Sequence, residues 1–130
     1  MKESNLPEQE IVRVYDEEKR IIIYQEPYST SKEQLDFNFQ KISKLSKDFD
    51  EFFLLIDLTI ASRPTAEIRQ HIFRKFAIIK STVKHVAIFT EKNVLLNMAA
   101  TFVMKKIGLR SFSIHKTQKE AEQAIEEKGR

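Results

Sequence analysis

The chain has 130 residues, 42% hydrophobic and 32% charged, with 22 basic against 19 acidic side chains and a formal net charge of +3. That is the size and balance of one globular domain, and the charge is too even to argue for a nucleic-acid partner. Its zero cysteines exclude disulfide frameworks, zinc ribbons, iron–sulfur clusters and thiol nucleophiles.

Residues 1–10 are polar and acidic, with Pro7 among them, and read as a flexible N-terminus without a secretory signal. Ile11–Tyr15 reads as a strand, Asp16–Lys19 as a charged turn, and Arg20–Gln25, rich in β-branched residues, as the hairpin partner that Pro27 ends. Thr30-Ser31-Lys32-Glu33 has capping-box spacing and predicts a helix whose apolar stripe is Leu35, Phe39, Ile42, Leu45 and Phe49, with Phe37 off it. The unbroken run Phe52–Leu58 predicts a strand buried on both faces, as in the middle of a parallel sheet.

Pro64 marks the start of a second helix carrying Ile68, Ile72, Phe76 and Ile79. Val83–Phe89 is another buried strand, and a helix over Lys92–Ile107 is ended by Gly108. Ser111–His115 is a short strand, and Thr117-Gln118-Lys119-Glu120 is a second capping box opening a helix with Ala121, Ala124 and Ile125. The predicted order is β-β-α-β-α-β-α-β-α over one domain, residues 1–130, an α/β fold with a mixed, mostly parallel sheet packed with helices.

No apolar run approaches the ~20 residues of a membrane span, so a cytoplasmic location is expected. With only Gly108 and Gly129, phosphate-cradling loops and nucleophile elbows are ruled out, and no cofactor is expected. His71, His85 and His115 form no metal-ligand spacing. His71 reads as a surface residue. His85 alternates with Ala87 and Phe89 and reads as a hydrogen-bonded structural histidine or a site residue. No nucleophile–base pair is visible, so no enzymatic activity is expected. Between residues 63 and 84 six basic side chains face one acid, Glu67, which reads as a solvated helix face or a patch for an acidic partner.

Sites on open parallel sheets collect at the carboxyl ends of strands. That rim would carry Asp57, Thr59, Ser62, Arg63 and Thr65 after one strand, Thr90, Lys92 and Asn93 after the next, and His115, Lys116 and Thr117 after the last. Thr90 and Thr117 read first as helix caps. Asp57, an acid closing an apolar strand, must be satisfied by amides or exposed at the rim, so both a structural and a site role stay open. The helix Asn93–Met104 is apolar nearly all round, which implies either burial on both sides or a surface for a protein partner or self-association.

Phe53–Thr59, Val86–Thr90 and Phe112–Thr117 with Glu120, Ala121 and Ala124 resemble the central strand, the next strand and the closing strand–helix of the STAS domain, the SpoIIAA-like fold. The resemblance spans roughly residues 11–126 and is closest to small stand-alone bacterial members. It implies a non-enzymatic interaction or regulatory module. The D-S-S-G motif that carries the phosphorylated serine of regulatory members is absent from Ile60–Glu67, where Ser62 and Thr65 lie near the expected place beside Arg63. A small-molecule or lipid carrier is the alternative reading, by analogy with lipid-binding relatives of that fold.

Overall fold

A computed structural model describes residues 11–129; the expected flexible N-terminus, residues 1–10, lies outside the described residues. Nine elements follow one another: β1 (Val12–Asp16), β2 (Ile21–Gln25), α1 (Lys32–Ser46), β3 (Phe52–Asp57), α2 (Ala66–Ile79), β4 (Val83–Phe89), α3 (Val94–Ile107), β5 (Phe112–His115) and α4 (Gln118–Lys128). The strands form one sheet in the spatial order β1-β2-β3-β4-β5. β1 pairs antiparallel with β2 and all other neighbours are parallel, so the sheet is mixed, and the hairpin is its edge rather than a separate layer.

β3 and β4 are buried along almost their whole length, as their lack of polar alternation requires. Alternate side chains enter two cores. Ile22, Leu54, Ile56, Val86 and Ile88 meet α1, α2 and α3 through Leu35, Phe39, Ile42, Phe76, Ala100, Val103 and Ile107. Ile21, Ile23, Phe53, Leu55, Ala87 and Phe89 meet α4 through Ala121 and Ile125. Among the described residues, three helices therefore cover one face and a single short helix the other. Edge-on ring contacts knit the larger core, Tyr24 to Phe39 at 6.0 Å and Phe39 to Phe76 at 5.1 Å between centroids.

The helix ends follow local chemistry, with two corrections. The cap of α1 is Ser31, whose hydroxyl accepts from Gln34 N while Gln34 Oε1 accepts from Ser31 N. The box sits one residue later than the Thr30–Glu33 spacing implied, and it frees the Thr30 hydroxyl. Thr90 caps nothing: Asn93 precedes α3, and Thr90 is buried beneath it. Thr65 and Thr117 cap α2 and α4 through Ile68 N and Glu120 N. Gly108 ends α3 at φ 73°, in the left-handed region that favours glycine.

Two substitutions separate packing from backbone effects in urea titrations. Leu55→Ala empties a fully buried position on the thinly covered face and is expected to cost about 2–5 kcal/mol. Gly108→Ala meets no atom within 4 Å, so its cost is the left-handed backbone alone, about 1 kcal/mol.

Candidate functional site

The three-helix face is not filled at the carboxyl end of the strands. A cavity of about 210 Å³ lies there between the sheet, α1, α2 and α3. Its floor is apolar: Leu35, Phe39, Ile56, Ile72, Phe76 and Ile88 line it, with Ala99, Ala100, Val103 and Met104 from α3. Its outer lining comes from two connections, residues 26–30 after β2 and residues 61–65 after β3, whose Tyr28, Ser29, Arg63 and Thr65 are exposed. Small side chains at Ala61, Ala99 and Ala100 leave the space that three converging helices do not fill.

A few polar groups interrupt the apolar wall. Tyr24 Oη donates to Glu26 Oε1 at 3.0 Å and accepts from Asn38 Nδ2 at 3.4 Å. Asn38 is itself buried, one of few polar residues in this core. Burial pushes the Glu26 carboxyl up to about 7, against the opposing effect of the Tyr24 hydrogen bond. Burial, then the neighbouring Glu26 charge, raises the Tyr24 phenol well above its usual range, so it stays protonated. The Thr30 hydroxyl, released from capping, is buried and has no protein partner. A carboxyl that burial holds toward neutrality, a phenol and an unpartnered hydroxyl thus share the wall of one apolar cavity.

The rim residues expected from the sequence do not come together. Ser62, Arg63 and Thr65 frame the cavity. Asp57 and Thr59 line a second cleft with Arg13, Gln25, Glu91 and Gln118, which shares Glu26 and Pro27 with the first, because residue 57 points to the α4 side of the sheet. Asp57 is fully engaged there: Oδ2 accepts from Gln25 Nε2 at 3.2 Å, Oδ1 from Thr59 N at 2.9 Å, and Arg13 donates to Gln25 Oε1 at 2.6 Å. Its structural reading is the one the geometry favours. Asn93 ties the loop after β3 to α3 by donating to Leu58 O and Ala61 O at 3.2 and 3.0 Å. Thr90 Oγ1 accepts from Asn97 Nδ2 at 3.4 Å. Ser62 Oγ donates to Tyr28 O, joining the two connections that frame the cavity.

His115 lies on the α4 side, in a cluster that sequence spacing does not reveal. Ser113 Oγ is 2.8 Å from His85 Nε2 and 2.7 Å from His115 Nε2, and His85 Nδ1 is 2.6 Å from Ser111 Oγ. The parallel β4–β5 register assembles it from two strands. Desolvation, with the positive field of Lys128, lowers His85 to about 4, so the buried ring is neutral and satisfied by two hydroxyls. His115 is also lowered by burial. A serine between two imidazoles has the elements of a nucleophile–base pair, but none of the three residues lines the cavity described above or the cleft beside Asp57. His71 is less exposed than expected and pairs with Asp36 across α1 and α2 at 2.7 Å. Lys75 shares that carboxylate and Lys32 meets Glu67, so part of the basic stretch serves helix packing. Among the described residues no cluster of His, Cys, Asp or Glu is placed to hold a metal ion, and no helix is long and apolar enough to cross a membrane.

The sequence matches no family model, and no match was found among curated proteins or solved structures.

Glu26 and His85 give the stability opposite pH slopes. Glu26 is raised in the fold, so the folded chain holds its proton more tightly and loses stability as pH rises from about 4.5 to 7. His85 is lowered, so the fold loses stability as pH falls from about 6.5 to 4. Glu26→Gln should match the native chain near pH 4 and exceed it by on the order of 2 kcal/mol at pH 8. His85→Gln should fall progressively behind the native chain over pH 4 to 6.5. Chemical denaturation across this range measures both.

Proposed function

We propose that the protein binds a compact apolar ligand bearing one hydrogen-bonding group, as a carrier or ligand-responsive module. The observation that carries this reading is the cavity with its polar set at one end. Its volume exceeds the ~150 Å³ in which an apolar void already accepts benzene. Binding pockets of this kind are mostly apolar with a few placed polar groups. Glu26, Tyr24 and Thr30 supply a carboxyl, a phenol and a free hydroxyl, a set suited to a carboxylic acid, alcohol or carbonyl head on a short alkyl or aromatic body. At neutral pH and below, a protonated Glu26 donates to such an acceptor; when ionised it repels a carboxylate. The STAS-like affiliation belongs to the same proposal, since lipid-binding relatives of that fold give it precedent.

A regulatory reading, with a protein partner docking on the rim, has support at one point. Thr65 is exposed at the N-terminus of α2 beside exposed Arg63, where a phosphate gains from the helix end and the guanidinium. Asp57 faces the other side of the sheet and takes no part in that surface. This reading ranks second because a ligand in the cavity also accounts for the buried polar groups.

Native mass spectrometry of the purified chain, followed by thermal shifts with short alkyl and aromatic carboxylic acids, tests the proposal. A ligand present at about 100 times its Kd should add ~2.7 kcal/mol of stability. The gain should be larger at pH 6 than at pH 8 in the native chain, and Ala100→Leu, which fills the cavity, should abolish it. A chain that releases no ligand, responds to no acid and is simply stabilised by Ala100→Leu would make the cavity a packing defect.

A further inference from the structure

The face of α3 turned away from the cavity has no cover among the described residues. Leu96, Ala100, Val103, Met104 and Ile107 are buried, whereas Val94, Leu95, Met98 and Phe102 are 67, 75, 69 and 55% exposed. Positions 94, 98 and 102 recur every four residues and 95 lies beside them, so the four share one side of the helix. Isolated exposed apolar residues are ordinary; four on one ridge are a surface. Exposures this high belong to side chains standing off a convex ridge, not lining a groove.

The charges along this helix have one sign. Lys92 precedes it, and exposed Lys105 and Lys106 close its last turn. Lys106 Nζ lies 5.2 Å from the Phe102 ring centroid, so the cation sits beside the apolar stripe. No acid occurs from residue 92 to residue 110. The nearest one before it, Glu91, accepts from Gln118 N, and Arg110 is paired with Glu51. A second copy is a poor occupant. Set antiparallel, two such ridges bring Lys92 against Lys105 and Lys106; set parallel, each lysine faces its own copy. Either arrangement buries the apolar stripe only by pressing like charges together.

We infer that this ridge docks on an anionic lipid surface. Leu95, Met98 and Phe102 enter the headgroup–acyl boundary, and lysines at both ends of the helix meet acidic headgroups. A convex ridge with flanking lysines fits a bilayer, which supplies apolar depth and negative charge without a preformed groove. The inference does not depend on what the cavity holds, although docking there would set one wall of the cavity against a source of apolar ligands.

Co-sedimentation of the full chain with phosphatidylcholine vesicles, with and without phosphatidylserine, tests it. The native chain should pellet with serine-lipid vesicles, stay in the supernatant with phosphatidylcholine alone, and be released at about 0.5 M salt, where screening confines charges to a few ångström. Leu95→Glu/Phe102→Glu alters two exposed positions and should lose pelleting while keeping the native circular dichroism spectrum. Lys105→Gln/Lys106→Gln should weaken binding, each lysine contributing about fivefold. A native chain that ignores both vesicles overturns the inference, as does equal pelleting with both or pelleting that survives the two double variants. Sedimentation velocity gives the remaining outcome: a dimer that Leu95→Glu/Phe102→Glu dissolves, without vesicle binding, assigns the ridge to a second copy and overturns the inference too.

Discussion

Everything in this molecule follows from the need to dry both faces of β3 and β4. Phe52–Asp57 and Val83–Phe89 offer almost no polar alternation, so each strand must be covered above and below. Flanking them with β2 and β5 satisfies their backbone groups, and a helix after each strand covers the faces. Among the described residues the cover is unequal, because α1, α2 and α3 go to one side and α4 to the other. On the α4 side Ala121 and Ile125 pack against the sheet. On the other side α1, α2 and α3 leave space unfilled at the carboxyl end of the sheet.

That imbalance generates the candidate site. Where the helices leave that space, residues of ordinary type acquire unusual surroundings. Glu26 comes just after a strand that Pro27 has helped to end, and burial beside Tyr24 and Asn38 lifts its carboxyl toward neutrality. Thr30 loses its capping role to Ser31 and is left buried with an unused hydroxyl. Neither residue carries a motif. Their interest comes from a low-dielectric wall that makes each polar atom costly to leave unpaired.

The same helix links this cavity to the outside. One side of α3 lines it through Ala99, Ala100, Val103 and Met104, and the other exposes Val94, Leu95, Met98 and Phe102. A helix apolar on both sides needs two apolar environments, and the described residues supply one. The lysine-flanked ridge and the carboxyl-bearing cavity lie about one helix diameter apart, roughly 10 Å, on opposite sides of α3.

Hydropathy pattern and punctuation determined the elements. Apolar runs marked the buried strands, three- and four-residue stripes marked the helices, and Pro64, Gly108 and Thr117 marked their ends, because these signals act within a few residues. The double-sided character of Asn93–Met104 was equally legible, since a missing polar face is a property of sequence alone. Tertiary structure decided the rest. A side chain's face depends on strand parity, which divides Asp57 from Ser62 although they are five residues apart. Assembly of His85 with Ser111 and Ser113 depends on parallel register between strands more than twenty residues apart. The cavity depends on how three helices pack over the sheet, a volume that no local pattern encodes, and only that volume makes Glu26, which carries no sequence signal, and Thr30, read as part of a cap, candidates for binding.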